Sequence, residues 1–284
     1  MLTVLIYGAV TSAILAMLAV GFTLIFGVAR ILNLAHDAFY ALGAYFAYTF
    51  TAILKLPLIV AAALSVALVA LFGVAMEQVL VRPLRQSSLA VLMITLVVAL
   101  TTEQALFVAF GSQSKNVPAF VNFPIYLHGV SVDGQRLLAL VIAVALIGAL
   151  WLFIQRTRLG SAILAVSQDP EAAQYMGIPA NRIFTIVMGL SAALAGAAGV
   201  IAAPFLSVRP TMDQTAMITA FSVVIVGGLG SIPGSILAAL VIGYSQTIVA
   251  FYLNPEWTGT VSLVAILLTL VLRPSGLMGR AVGA

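Results

Sequence analysis

The chain contains few side chains whose type and spacing could support chemistry. His36 and Asp37 are adjacent, so on a helix they point about 100° apart and need not act as a pair. Several apolar segments separate His36 from His128, the only other histidine, and no Gly-x-Ser-x-Gly sequence marks a nucleophilic serine. Cysteine is absent. We therefore expect neither an enzyme nor a metal centre, and no cofactor bound by this chain.

A glycine-rich stretch over residues 226–235 resembles a phosphate-binding loop at first sight. It lacks the lysine of a Walker loop, and neither Lys55 nor Lys115 follows Gly and precedes Ser or Thr. The chain therefore has no recognisable ATP site of its own. The stretch could instead expose backbone groups to a passing solute between two helical pieces, or it could be a tight turn between helices. Its candidate residues are Gly227, Gly228, Gly230 and Ser231.

Two glutamates lie inside long apolar segments. Glu103 follows Thr101 and Thr102 and precedes Gln104. An ionisable group at membrane depth is costly and marks function by default, so Glu103 could face a water-filled path. The alternative is a hydrogen bond between helices from a protonated carboxyl group. Glu77 lies nearer a segment end, where it can reach water or Arg82, and we interpret it as structural.

The composition places these residues in a lipid bilayer. Of 284 residues, 63% are hydrophobic and 7% are charged, against roughly 25% charged in a soluble domain. The net charge of +4 is scattered, without the basic cluster that nucleic acid requires. Since a membrane-crossing helix needs about 20 apolar residues, nine segments are candidates: 1–28, 38–54, 56–80, 89–110, 137–154, 183–203, 214–229, 233–253 and 259–272.

Polar residues interrupt this pattern at 30–37 and at 227–234. Interrupted helices in two separate parts of a membrane protein indicate a transport pathway, and a re-entrant segment would reduce the count to eight. Basic residues concentrate on the cytoplasmic side of membrane proteins. We assign to that side Arg82, Arg85, Arg156, Arg158, Arg182, Arg273 and Arg280, and to the outside Lys55, Lys115, Arg136 and Arg209, with Arg30 unassigned.

The predicted cytoplasmic loop 155–182 contains signals for a helix of about two turns. Asp169 is a good N-cap, Pro170 suits the first helical position, and Glu171 complements the helix dipole. Gly177 supplies a left-handed stop. So short a helix is marginal alone, and it either inserts into a cytoplasmic motor subunit as a coupling helix or lies on lipid as a connector. The small residues at 191–199 predict that the following helix is central in the bundle.

Several motifs together resemble the permease subunits of bacterial ABC importers of the branched-chain amino acid type, often called LivH-like. Residues 21–28, followed by 31–36, look like the N-terminal signature of that family. Residues 176–178 resemble its coupling region. The C-terminal hallmarks correspond to residues 209–212, 220–234 and 272–280.

The resemblance implies an all-α transmembrane bundle of about eight spans with interrupted helices, forming one permease domain over residues 1–284. It implies a second permease subunit, two cytoplasmic ATPase subunits that use ATP, and a periplasmic or extracellular solute-binding protein, in a bacterial inner membrane. By the same resemblance Asn33, His36 and the turn 227–231 lie near the pathway, while residues 169–177 contact the ATPase. A stand-alone secondary transporter or channel is the alternative.

The sequence departs from the family pattern at three acidic positions. Asp37 stands in a His-Asp-Ala sequence where His-Gly-Glu is expected, Asp213 replaces a common glycine, and Glu103 replaces an uncharged amide. A carboxylate in the pathway disfavours an anionic solute by like-charge repulsion. These positions therefore leave open an amino acid, an amide or urea as the solute.

Overall fold

The computed structural model describes residues 1–127 and 130–279. Twelve α-helices lie in this part of the chain: α1 (Leu2–Ala29), α2 (His36–Tyr48), α3 (Leu58–Met76), α4 (Arg82–Leu84), α5 (Ser88–Phe110), α6 (Gly134–Arg156), α7 (Arg158–Gln168), α8 (Pro170–Tyr175), α9 (Ala180–Ala202), α10 (Met212–Gly227), α11 (Ile232–Tyr252) and α12 (Thr258–Leu272). A π-helical turn extends α2 over Thr49–Ile53, and another extends α3 over Glu77–Val81. A 3₁₀ turn, Pro255–Trp257, leads directly into α12. Strands β1 (Pro124–Leu127) and β2 (Val130–Asp133) form an antiparallel hairpin.

Within the described ranges, seven helical stretches are long and apolar enough to cross a membrane. They are Leu2–Ala29, Leu58–Leu84, Ser88–Phe110, Gly134–Arg156, Ala180–Ala202, Ile232–Tyr252 and Pro255–Leu272, and a shorter apolar helix covers Gln214–Gly227. The all-helical bundle of about eight spans with interrupted helices is thus confirmed. The segments expected at 38–54 and 214–229 lie close to their predicted bounds: α2 with its π-helical turn covers residues 36–53, and α10 covers residues 212–227. Hydropathy therefore located both segments to within two residues.

The two ends of the bundle follow from the contacts of α1. Met1, just before α1, accepts a hydrogen bond from the Tyr252 hydroxyl at the end of α11, while Gly27 approaches Gly230 just before α11 begins. Arg30 directly follows α1 and lies at this second end. We call this end of the bundle the arginine-rich end; it carries Arg30, Arg82, Arg85, Arg156, Arg158, Arg182 and Arg273. Arg280 and His128 lie outside the described residues.

The opposite end of the bundle carries the β-hairpin and the basic residues Lys55, Lys115, Arg136 and Arg209. The backbone groups of Lys115 and Val208 pair in an isolated bridge. The Arg136 guanidinium carbon lies 4.5 Å from the ring centroid of Tyr7 and 5.0 Å from that of Phe205. Such contacts between a cation and aromatic rings fix the connections between helices at this end.

Helices α1 and α9 form the centre of the bundle. In the most apolar 18 residues of each helix, the buried share is 83% for α1 and 78% for α9. It is 6% for the stretch that contains α12. The central position predicted for residues 183–203 is therefore confirmed. Burial gives no preference for protein over lipid in a bilayer, so close van der Waals packing must hold these helices together.

Glycines provide that close packing between α9 and its neighbours. A Cβ on Gly199 would overlap the carbonyl oxygen of Tyr40 in α2, and one on Gly196 would lie 2.9 Å from Val69 of α3. Gly43 of α2 faces the Gly196 carbonyl in the same way. No larger residue fits at these positions while the backbones keep their separation.

The buried Glu77 forms its ion pair with Arg85, whereas the sequence suggested water or Arg82 as what it could reach. Glu77 is 1% exposed in the π-helical turn that ends α3, and its Oε1 accepts a hydrogen bond from Arg85 Nη2. Arg85 Nη1 donates to Asn181 Oδ1 at 2.9 Å, and the guanidinium carbon lies 4.1 Å from the Phe184 ring centroid. Arg85 thereby joins the end of α3 to the start of α9.

We predict that Gly199→Val weakens the contact between α2 and α9. The added methyl groups must displace the Tyr40 carbonyl, and overpacking of this kind costs roughly 1–3 kcal/mol. Thermal unfolding of the purified protein in detergent measures the loss. Gly148→Val is the matched control, because a Cβ on Gly148 of α6 meets no atom within 4 Å. Equal unfolding temperatures for the two variants would contradict the close-packing argument.

We also predict that Arg85→Met is more destabilising than the double change Glu77→Met with Arg85→Met. Removing Arg85 alone leaves a carboxylate buried without its partner, at a cost of about 3–5 kcal/mol, whereas an apolar pair is often neutral. Chemical unfolding of the single and double variants tests this difference. If the double variant is as unstable as the single one, the ion pair is not the source of the effect.

Candidate functional site

The chain leaves helical geometry between α1 and α2, where Asn33 and His36 were predicted to lie near a pathway. Asn33 is 1% exposed; its Oδ1 accepts a hydrogen bond from the Ala35 amide at 3.1 Å, and its Nδ2 donates to Met188 Sδ at 3.5 Å. The Leu34 amide donates to Thr95 Oγ1 at 3.2 Å. Side chains of this break and of α5 therefore satisfy the backbone amides that the helix ladder cannot.

His36 is fully buried where α1, α2 and α9 meet. Its Nε2 donates to the carbonyl oxygen of Leu18 at 3.0 Å, and its Nδ1 lies 3.2 Å from Ser191 Oγ. The Ser191 hydroxyl donates to the carbonyl oxygen of Gly21 at 2.7 Å. Because α2 starts beside Leu18 and Gly21, it begins next to the middle of α1 and not at the arginine-rich end. The pathway role of Asn33 and His36 stays a prediction.

Asp37 lies in the first turn of α2 and is 2% exposed. The positive end of the helix dipole stabilises a carboxylate at this position. Asp213 belongs to α10, and its side chain lies outside the described part of the structure. Whether either carboxylate contacts a solute stays a prediction.

The glycine-rich stretch forms a tight turn between α10 and α11. Gly228 and Gly230 have φ values of 99° and 84°, which favour glycine. Ser231 caps α11, since its Oγ accepts a hydrogen bond from the Gly234 amide at 3.2 Å. The C-terminal segment after α12 closes over the turn, as the Leu277 amide donates to the Val226 carbonyl and the Met278 amide to the Gly227 carbonyl.

This closure by the C-terminal segment was missed by the sequence reasoning. The distances are 2.7 Å for Leu277 and 3.0 Å for Met278, so two carbonyls that could have faced a solute already accept hydrogen bonds. The geometry is that of the tight-turn alternative. A pathway role for Gly227, Gly228, Gly230 and Ser231 stays a prediction.

Glu103 lies toward the opposite end of the bundle, far from the glycine turn. Its Oε1 accepts a hydrogen bond from Gln214 Nε2 at 2.9 Å. Gln214 is at the start of α10 and Gly227 is its last residue, so the length of α10 separates the two candidate regions. The structure thus joins α5 to α10 through a pair of polar side chains in which Glu103 is the acceptor, whereas the alternative left by the sequence was a hydrogen bond from a protonated carboxyl group. A pathway role for Glu103 stays a prediction.

Helix α8 has the predicted capping at the arginine-rich end. Asp169 Oδ1 accepts hydrogen bonds from the amides of Glu171 at 2.9 Å and Ala172 at 3.0 Å, and Pro170 is the first helical residue. Gly177 has a φ of 82°. The predicted start and stop are confirmed, although α8 has 6 residues, slightly fewer than two full turns.

Sequence reasoning missed two features beside α8. Helix α7 precedes it, capped by Thr157 Oγ1, with one face buried against the bundle through Gly160, Ile163 and Val166. The last residue of α8 and the next residue, Tyr175 and Met176, are 89% and 83% exposed. The spacing of the residues that α7 buries could have revealed that helix in the sequence. The exposure of Tyr175 and Met176, in contrast, depends on how α8 packs on the bundle.

Among residues 1–127 and 130–279, no group of three or more His, Cys, Asp or Glu side chains could hold a metal ion. Two of the candidate regions have side chains exposed at the surface of the bundle. One is the exposed surface around α8, and the other is the Glu103–Gln214 pair between α5 and α10.

Known proteins resemble this chain over nearly its whole length. It is 29% identical over 291 residues to the high-affinity branched-chain amino acid transport system permease protein BraD of Pseudomonas aeruginosa, covering 97% of this chain and 95% of BraD. It is 27% identical over 280 residues to the corresponding permease protein LivH of Escherichia coli, covering 93% and 91%.

A solved structure has the same fold. PsaBC from Streptococcus pneumoniae, in complex with Fab, aligns with a TM-score of 0.55 at 14% identity, covering 95% of this chain and 91% of the other. The family described as the permease component of branched-chain amino acid transport systems matches residues 4–270. Together with the helical membrane bundle, this match shows that the chain belongs to that family of permease components.

Proposed function

We propose that this chain is the permease subunit of an ATP-driven importer and forms half of its translocation pathway. The solute is a branched-chain amino acid or a related small amino acid, amide or urea. The observation that carries the proposal is the family match over residues 4–270 on a multi-pass helical bundle. The names of BraD and LivH, which are high-affinity branched-chain amino acid permeases, support this class of solute.

The proposal includes the partners that such a permease requires. A second permease subunit completes the pathway, two cytoplasmic ATPase subunits use ATP, and a periplasmic or extracellular binding protein delivers the solute. The absence of a Walker lysine in the sequence supports this division of labour. The bacterial inner membrane is the proposed location, with the arginine-rich end in the cytoplasm.

The surface around α8 is the proposed contact with an ATPase. Tyr175 and Met176 project from the arginine-rich end, and Gly177 turns the chain directly toward α9. Exposed large apolar side chains at the end of a short capped helix suit insertion into a cleft of a partner protein. Asp169, Pro170 and Glu171 shape the start of α8, so we assign them a positioning role.

Reconstitution in liposomes tests the transport function. The chain alone should not accumulate leucine against its gradient. Addition of the second permease, the ATPases and the binding protein should produce uptake that requires ATP. Sustained accumulation by this chain alone, driven by a proton or sodium gradient, would contradict the importer and favour a secondary transporter.

We predict that Tyr175→Ala and Gly177→Val each reduce ATP-dependent uptake by about tenfold or more. The first removes the apolar contact, and the second puts a β-branched residue at a φ of 82°, which disturbs the exit from α8. Uptake and retention of the ATPase during purification are measured together. Gln86→Ala is the control, because Gln86 is also exposed at the arginine-rich end but belongs to the segment between α4 and α5. Normal uptake and normal ATPase retention in both test variants would refute the docking role.

A further inference from the structure

Polar side chains form an exposed patch on α5, a candidate span, and on the shorter helix α10. Thr101 and Gln104 of α5 and Gln214 and Thr215 of α10 are exposed, and Glu103 lies among them half-buried. Elsewhere α5 exposes apolar side chains such as Val97 and Val108, as α12 exposes Leu267 and Val271. Polar groups that face hydrocarbon are costly. The Glu103–Gln214 pair therefore faces water or protein in the membrane, while the apolar surfaces of α5 and α12 suit lipid.

The position of the patch suits the outer mouth of a pathway. Glu103 is in the last third of α5, which runs away from the arginine-rich end, and Gln214 is near the start of α10, which runs toward it. Both residues therefore lie in the half of the bundle opposite the arginine-rich end. A solute that enters from outside meets this half first.

The two side chains complement the head group of an α-amino acid. Glu103 carries a carboxylate that accepts hydrogen bonds, and the Gln214 amide donates to it at 2.9 Å. An α-amino acid at neutral pH has an ammonium group with three donors and a carboxylate that only accepts. Glu103 can therefore accept from the ammonium group while Gln214 Nε2 turns its donor toward the carboxylate.

The pair also explains how an empty site avoids the cost of unsatisfied polar groups. Without a solute, Gln214 donates to Glu103, so each side chain serves as the partner of the other. A zwitterion replaces the contact between the two side chains with two charge-assisted ones. An acid without an ammonium group meets the negative Glu103 and is disfavoured.

We propose that Glu103 and Gln214 form a recognition site for the zwitterionic head group of an amino acid at the outer mouth of the pathway. This inference rests on the proposed import function. It assigns specificity to two residues on different helices, of which the sequence pointed only to Glu103.

The variant Glu103→Gln tests the charge without removing the contact between α5 and α10. Glutamine keeps an acceptor oxygen for Gln214, so the unfolding temperature should stay close to that of the unmodified protein. The kcat/KM for leucine uptake by the complete importer in liposomes should fall by about tenfold or more, as expected for the loss of a hydrogen bond to a charged group. Glu103→Asp, which keeps the charge, should recover part of the activity.

A competitor distinguishes recognition from a general defect. In the unmodified importer, excess 4-methylpentanoate, which is leucine without its ammonium group, should barely inhibit leucine uptake. In Glu103→Gln it should inhibit more strongly, because the repelling carboxylate is gone. Glu256→Gln is the control; Glu256 is an exposed glutamate before α12, outside the patch.

Gln214→Met provides a second test if Glu103→Gln does not fold. It removes the donor for the solute carboxylate at similar size, and it should raise the KM for leucine by about tenfold. Unchanged kinetics in the folded variants, with unchanged inhibition by 4-methylpentanoate, overturn the recognition site. No ATP-dependent uptake by the unmodified importer overturns the proposed function instead.

Discussion

The small side chains of α9 are the constraint on which the bundle depends. Gly199 lets the backbone of α2 approach α9, and Gly196 lets the Val69 side chain of α3 do so, at distances that an added Cβ would prevent. Lipid chains are as apolar as leucine, so burial alone cannot hold these helices together, and contact must come from shape and polar bonds. Ser191, on the same helix, adds a hydrogen bond to the Gly21 carbonyl of α1. One helix thereby fixes the relative positions of three others.

The interrupted helices survive because protein groups replace the missing helical hydrogen bonds. At the break before α2, Asn33 and Thr95 accept from the amides of Ala35 and Leu34. At the turn before α11, the amides of Leu277 and Met278 donate to carbonyls at the end of α10. Irregular backbone at membrane depth requires such partners or water. In both places the described residues supply partners, so an interruption in the sequence is a sign of dense polar packing as much as of a pathway.

The sequence predicted features that depend on neighbouring residues. The cap at Asp169, the stop at Gly177 and the central position of residues 183–203 all follow from local composition. It could not predict contacts between distant segments, because each side chain has several possible partners and the sequence does not distinguish among them. Glu77 has Arg82 and Arg85 at similar separations in the chain, and the helix geometry selects Arg85. Gln214 is 111 residues from Glu103, and no local pattern links them.

The same contacts indicate how the two candidate regions can communicate. Helix α8 leads through Gly177 into α9, and Arg85 ties the start of α9 to the end of α3. Helix α9 contacts α2, which in turn contacts both α5 and α10, the helices that carry Glu103 and Gln214. Because the backbones of α9 and α2 are in direct contact at Gly43 and Gly199, neither helix can shift far without moving the other. If α8 is the contact with an ATPase, as proposed, a force applied there reaches the Glu103–Gln214 pair through α9 and α2, and a change in the separation of α5 and α10 would break or restore the hydrogen bond between the two side chains.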